Sequence, residues 1–273
     1  MLEEPRSGRL AAWGNALFAG FVSPDEAVDR IVADDTVHRV LGLPGSPGAP
    51  AGLSLALGGL RAGATPVLRL ALPVPGHPLG LCGPPEFNAR ALEAGEAVLA
   101  PAAGLGLVPE VHVAGPEDGA QADDRHVEVV WHCLPVRDAP PADVPSLGEA
   151  ERELAEALRE ATEVLTRLDV AGSGPAADAA LEAYRARAEA GRRLLAPGYP
   201  ARAVRVLELA QRVGALVAIA EGDGGDGRAH GAAVSASQIA ARAEALRPVE
   251  RTARRAQVAA YNAAAEERER QRP

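Results

Sequence analysis

The sequence predicts an α+β protein in two parts: an N-terminal domain mixing helices with a small sheet, then an all-α antiparallel helical bundle. Three observations predict it. Strand-like apolar runs cluster between residues 67 and 136, a Pro-rich stretch (RDAPPADVPS, 137–146) punctuates the chain, and every apolar pattern beyond it has helical three-and-four spacing. The expected domains are an acidic α+β domain over 1–140 and a helical domain over 146–273.

The first element is a helix, because Leu10, Trp13, Leu17 and Phe21 recur at three and four residues. A second starts at Ser23-Pro24-Asp25-Glu26, where an N-cap serine, a proline at the first helical position and a capping-box glutamate coincide. Residues 36–64 are less patterned: 43–52 reads as a loop by its Pro and Gly content, and LSLALGGLRAG fits a short helix or a strand. Strands are expected at 67–72, 96–99, 106–113 and 126–136, the last (HVEVVWHCLPV) being richest in β-branched and aromatic residues. A short helix opens on Pro85. The Leu-Pro-Val tripeptide at both 72–74 and 134–136 suggests that those two strands are neighbours.

Four helices are expected in the second half, at about 147–169, 176–196, 201–220 and 235–268. Ser146 and Glu149 form a second capping box, and Leu154, Leu158, Ala161, Leu165 and Leu168 follow as a seam. Pro197-Gly198-Tyr199-Pro200 turns the chain into 201–220, which should be the most buried helix, and Pro248 should interrupt the last one.

Composition narrows the function classes. All 28 basic residues are arginine, so lysine Schiff bases, a lysine general base and a Walker-type lysine are excluded. Residues 1–145 carry 9 Arg against 18 Asp plus Glu, net −9, and 146–273 carry 19 against 19. The acidic half should repel a phosphate backbone, so any nucleic-acid binding must come from the second half, and nucleic acid is not the expected partner. The opening MLEEPRSGRL lacks a basic region followed by an apolar core, which predicts a cytoplasmic protein without a secretory leader. The longest apolar stretches, 97–109 and 213–220, fall short of a bilayer span, and two cysteines make no disulfide framework.

Few residues carry a chemical signal. The loop PVPGHPLGLCGPPEFN (73–88) brings His77 and Cys82 together in a stiff frame, and His132-Cys133 lies on the strongest strand. If the two strands are neighbours, His77, Cys82 and His132 converge on a thiolate–imidazole or zinc site, although adjacent strand residues face opposite ways and CxxC, HxH and HExxH are absent. The better reading is a stiff connecting loop, with no metal and no cofactor. EGDGGDGRAHG (221–231) lacks the alternating oxygen ligands of a calcium loop, and neither GxSxG nor a strand-borne GxGxxG occurs. Arg247, Arg251, Arg254 and Arg255 form a basic stripe at helical spacing; it reads first as a solvated face, next as a surface that docks on the acidic domain or an acidic partner, and last as a phosphate or nucleic-acid contact, which no aromatic platform or binding motif accompanies.

The segments GHPLGLCGPPEFNARALEAGEAVL and RRAQVAAYNA, with the Ala/Arg-rich composition, resemble uncharacterised proteins of Streptomyces-type actinobacteria. That resemblance implies no residue roles. The expected function is non-catalytic: a cytoplasmic regulatory or scaffolding protein acting through its helical domain, with a protein partner or as a homodimer. The alternative is an enzyme or small-ligand binder with a pocket between the domains. His77, Cys82 and His132 would line one wall and Arg251 and Arg255 the other, suiting an anionic metabolite.

Overall fold

A computed structural model describes residues 4–46, 48–61, 66–115, 125–137, 139–167, 195–221 and 236–271. The chain is a mixed α/β protein with a six-stranded sheet and, among the described residues, seven α-helices. It divides into two compact units: a sheet unit of Glu4–Val144, Leu195–Tyr199 and Tyr261–Pro273, and a helical unit of Met1–Glu3, Pro145–Leu194 and Pro200–Ala260.

The sheet unit opens with α1 (Arg6–Phe18) and α2 (Pro24–Val32). The capping box of α2 is present: Ser23 Oγ accepts from the Glu26 amide at 3.1 Å, Pro24 occupies the first turn, and Asp25 and Glu26 face the positive helix end. Then come β1 (Val37–Leu41), β2 (Ala51–Gly52) and α3 (Leu53–Leu60), which settles LSLALGGL as a helix. β3 (Arg69–Ala71), α4 (Pro85–Ala94), β4 (Ala97–Ala100), a single 3₁₀ turn, β5 (Leu105–Ala114) and β6 (His126–Pro135) complete it. Left-handed Gly95 ends α4 at φ +72°, a conformation that favours glycine.

The strand order is β2-β1-β6-β5-β4-β3. Only β1 and β6 pair in parallel, with His38 opposite Val129 and Val40 opposite Trp131; the other pairings are antiparallel. The neighbour relation suggested by the two Leu-Pro-Val tripeptides is therefore wrong: β4 and β5 lie between β3 and β6. A shared tripeptide does not select a partner, whereas strands consecutive in the chain tend to pair, and β3, β4, β5 and β6 do so in chain order.

Helices cover both faces unequally. α1 lies across β3, β4 and β5, α3 covers β1 and β2, and α2 packs on α1 and α3. Fully buried Trp131 sits in this layer among Val40, Val129 and Leu107. On the other face α4 seats Phe87 and Ala91 over Ala71, Ala97, Leu99 and Val108. Fully burying one such aromatic or aliphatic side chain stabilises the fold by about 1.5–3 kcal/mol.

The sheet's outer edge at β3 is closed by two asparagines. Asn15 of α1 accepts from the Leu68 amide at 2.9 Å and donates to the Leu68 carbonyl at 2.8 Å. Two residues further on, Asn262 of the last helix accepts from the Leu70 amide at 2.7 Å and donates to the Leu70 carbonyl at 3.0 Å. A primary amide presents one donor and one acceptor, as a strand residue does, so each asparagine stands in for a missing neighbour strand.

The helical unit contains α5 (Leu147–Arg167), α6 (Ala201–Glu221) and most of α7 (Ala236–Arg270). Ser146 and Glu149 form the expected box, Glu149 Oε2 accepting from the Ser146 amide at 2.9 Å. Leu154 is fully buried on the α5 seam. One expectation fails. Pro248 does not interrupt α7: it is exposed beside exposed Glu244, so the carbonyl left without its amide donor lies on a solvated side. Every residue from 256 to 265 of α7 is buried. The expected helix 176–196 up to residue 194, and the loop 221–231 beyond Glu221, lie outside the described residues.

Candidate functional site

The sequence-picked residues fall in separate environments. His77 lies in a tight turn whose backbone pairs with Val74, and Cys82 is half-buried against the Phe87 cluster. His132 projects from β6 on the same face as Phe87, and its Nε2 meets Glu110 Oε2 at 2.6 Å. His112, two residues along β5 from Glu110, reaches the other carboxylate oxygen at 3.4 Å. The bond from His132, with the neighbouring positive charges, holds the Glu110 carboxyl below its ordinary value. Cys133 faces the opposite layer, where burial pushes its thiol pKa up and disfavours the thiolate. Among the described residues no group of three or more His, Cys, Asp or Glu is placed to hold a metal ion.

The residues that sequence reasoning missed form a buried polar network beside α1. Asp35, with a side chain 6% exposed, accepts from Arg6 Nε at 3.0 Å and Arg6 Nη2 at 2.7 Å, and from Arg9 Nη2 at 2.5 Å. His38 Nε2 lies 3.1 Å from the same carboxylate, while Trp131 Nε1 donates to His38 Nδ1 at 3.2 Å. Trp131 has no acceptor, so Nδ1 takes its proton and Nε2 carries the ring's own proton toward Asp35. Burial pushes the Asp35 carboxyl up, but the bonds from His38 and Arg6 and the charges of Arg6 and Arg9 outweigh it and hold the group well below the usual range.

An imidazole between a carboxylate and a third group has the outline of an acid–base dyad. This one is closed. Both ring nitrogens are bonded and the His38 side chain is 0% exposed, so the ring offers no nitrogen to an incoming substrate. A signal did exist in the sequence: Asp35 and His38 are three residues apart, and Arg6 and Arg9 fall on one side of a helix.

Next to this network Glu96, just before β4, accepts from the Ser7 amide at 2.7 Å. It supplies the first-turn cap that Pro5 lacks. Burial raises the Glu96 pKa, partly offset by the Ser7 amide and by Arg6 and Arg9. Tyr261 packs on the same turn so closely that a Cβ at Gly8 would lie 2.8 Å from its Cζ.

In the helical unit the arginine stripe separates into engaged and open members. Arg255 Nη1 is bonded to Glu153 at 2.6 Å, and Arg202 of α6 to Glu151 of α5 at 2.6 Å. Arg254 is half-buried. Arg247 and Arg251, one turn apart, are exposed and make no ion pair among the described residues. These two exposed cations lie together, opposite the buried Leu246 and Val249.

Fold and sites define a mixed α/β protein with one histidine–carboxylate pair sealed in its core and a second, His132–Glu110, on the surface of its sheet. The profile described as Rv1486c-like protein, N-terminal domain, matches residues 7–145, and that of the C-terminal domain matches 148–258. The chain belongs to the Rv1486c-like family. The uncharacterized protein Rv1486c of Mycobacterium tuberculosis is 31% identical over 278 residues, covering 93% of this chain and 95% of the relative. An uncharacterized protein of Mycobacterium leprae, ML1804, is 28% identical with the same coverage, and one of Mycobacterium avium, MAV321, is 30% identical over 78% of each chain. These mycobacterial relatives agree with the actinobacterial resemblance seen in the sequence. No solved structure matches the chain.

Proposed function

We propose that this protein works by binding rather than by catalysis, as a regulatory or scaffolding protein whose contact surface is the arginine face of α7. The observation that carries the reading is the contrast among its arginines. Arg202 and Arg255 are neutralised within their own unit, whereas Arg247 and Arg251 are exposed and make no ion pair among the described residues. An arginine fork suits carboxylates, so the partner is an acidic protein surface. The closed His38–Asp35 pair and the protonated Cys133 thiol favour the same reading over an enzyme. Two cysteines without a disulfide suit the reducing cytoplasm, and no helix among the described residues is long and apolar enough to cross a membrane.

The test is native mass spectrometry of the full chain, wild type beside the double variant R247E/R251E. An assembly formed by the wild type and lost in the variant supports the reading. An assembly indifferent to the reversal overturns it, as does a co-purified small molecule that leaves on His132→Ala.

A further inference from the structure

We propose that the arginine face of α7 docks on a second copy of this chain, along the acidic edge of that copy's α2, in a reciprocal two-fold pair. The inference rests on the binding reading above and names its partner. Asp25 and Asp29 stand one helical turn apart on α2, both exposed, with exposed Glu26 beside them. Arg247 and Arg251 stand one turn apart on α7, also exposed. Side chains at this spacing have Cβ atoms about 5–6 Å apart on any α-helix, so two carboxylates on one helix meet two guanidiniums on another in register. Among the described residues none of the four makes an ion pair.

Two further observations point to the same edge. The one basic residue of α2, Arg30, lies over the Trp13 ring at 5.3 Å from its centroid. Phe21, four residues before Asp25, is 58% exposed, and an exposed aromatic next to charges is the type of side chain that anchors an interface. The net −9 of residues 1–145 draws a cationic face toward this half of another copy over longer range. Two-fold symmetry forms the contact twice and closes the assembly at two copies, where a single head-to-tail contact would leave it open.

The pairing can be tested by exchanging charges. In D25R/D29R the α2 edge becomes basic and faces a basic α7; in R247E/R251E both faces are acidic. Each variant alone repels itself, but a mixed pair places basic α2 on acidic α7 at one contact and acidic α2 on basic α7 at the other. Native mass spectrometry and sedimentation at low salt should show a wild-type dimer that weakens as salt is raised. Pairing should weaken by about tenfold to a hundredfold in each variant alone. Heterodimers should return when the two variants are mixed, an outcome that misfolded variants do not give. A wild type that remains monomeric, or a mixture that fails to pair, overturns the proposal. Assembly lost in R247E/R251E but retained in D25R/D29R also overturns it, while leaving the arginine face as a binding surface for another acidic partner.

Discussion

Replacing Asn262 by alanine should be among the most damaging small changes in the sheet unit. The side chain is 2% exposed and holds both backbone groups of Leu70, itself fully buried. Alanine supplies neither a donor nor an acceptor, so an amide and a carbonyl lose their partners in a site closed to water. Each buried unsatisfied group costs about 1–3 kcal/mol, which gives roughly 2–6 kcal/mol for the pair. That is a large part of the ~5–15 kcal/mol that separates folded from unfolded domains. Urea denaturation followed by circular dichroism measures the loss, and hydrogen exchange locates it, because the Leu70 amide should lose protection first. Asn15→Ala should do the same at Leu68, whose amide and carbonyl it holds. The two sites share one strand, so the double variant should depart from additivity. An unfolding free energy within about 0.5 kcal/mol of wild type, with Leu70 protection unchanged, would refute the edge-closing role.

Asp35→Asn leaves Arg6 and Arg9 converging on a neutral group in a nearly closed site, and should cost about 3–5 kcal/mol near neutral pH. Because the Asp35 carboxyl is held below its ordinary 3.8, its contribution is present above that value and is lost as pH falls toward the folded one. Denaturation midpoints of wild type and variant should therefore converge in acid; a constant gap would count against the pairing. Glu96→Gln has the opposite sign. Burial raises the Glu96 pKa, so its contribution is full below the ordinary 4.5 and fades as pH rises through the folded value. A glutamine still accepts from Ser7, and a pH series should show it gaining on the wild type with rising pH. Tyr261→Phe removes a fully buried hydroxyl that has no hydrogen-bond partner among the described residues, so stability read from thermal melting should be unchanged or raised by up to about 1 kcal/mol, and a clear loss would contradict that.

The parts of this fold legible in the sequence are those with local signals. The capping serines of α2 and α5, Pro85 at the first position of α4 and the β-branched run of β6 each act over a few residues, and each element lies where it was expected. β1 and β2 were not legible, because β1 is a five-residue strand whose parallel partner β6 is roughly ninety residues away, and β2 spans two residues. Parallel pairing leaves no turn motif to read. Asn15 and Asn262 were visible in principle. Asparagine is a poor interior helix residue, and in GNALF and YNAAA it interrupts apolar runs without ending the helix, which signals a partner outside it.

The same reasoning separates the two uses of charge in this chain. Where a charged or amide side chain faces the sheet layers, it is bonded to a named group: Asp35 to two arginines, Glu96 to an amide, Asn15 and Asn262 to a strand edge. Removing water from such groups is tolerable only with those bonds in place, so their identity follows from folding and does not report function. Arg247 and Arg251, with Asp25 and Asp29, are under no such constraint, since an exposed charge is solvated whatever its sign. Reversing Arg247 and Arg251 should leave the denaturation midpoint nearly unchanged, whereas D25R also loses a favourable charge at the N-terminus of α2, a cost of about 0.3–1 kcal/mol. Any loss of assembly on reversal would then report contact between molecules, which is why the exposed pairs, and not the better-bonded buried ones, are where a binding function can be measured without first breaking the fold.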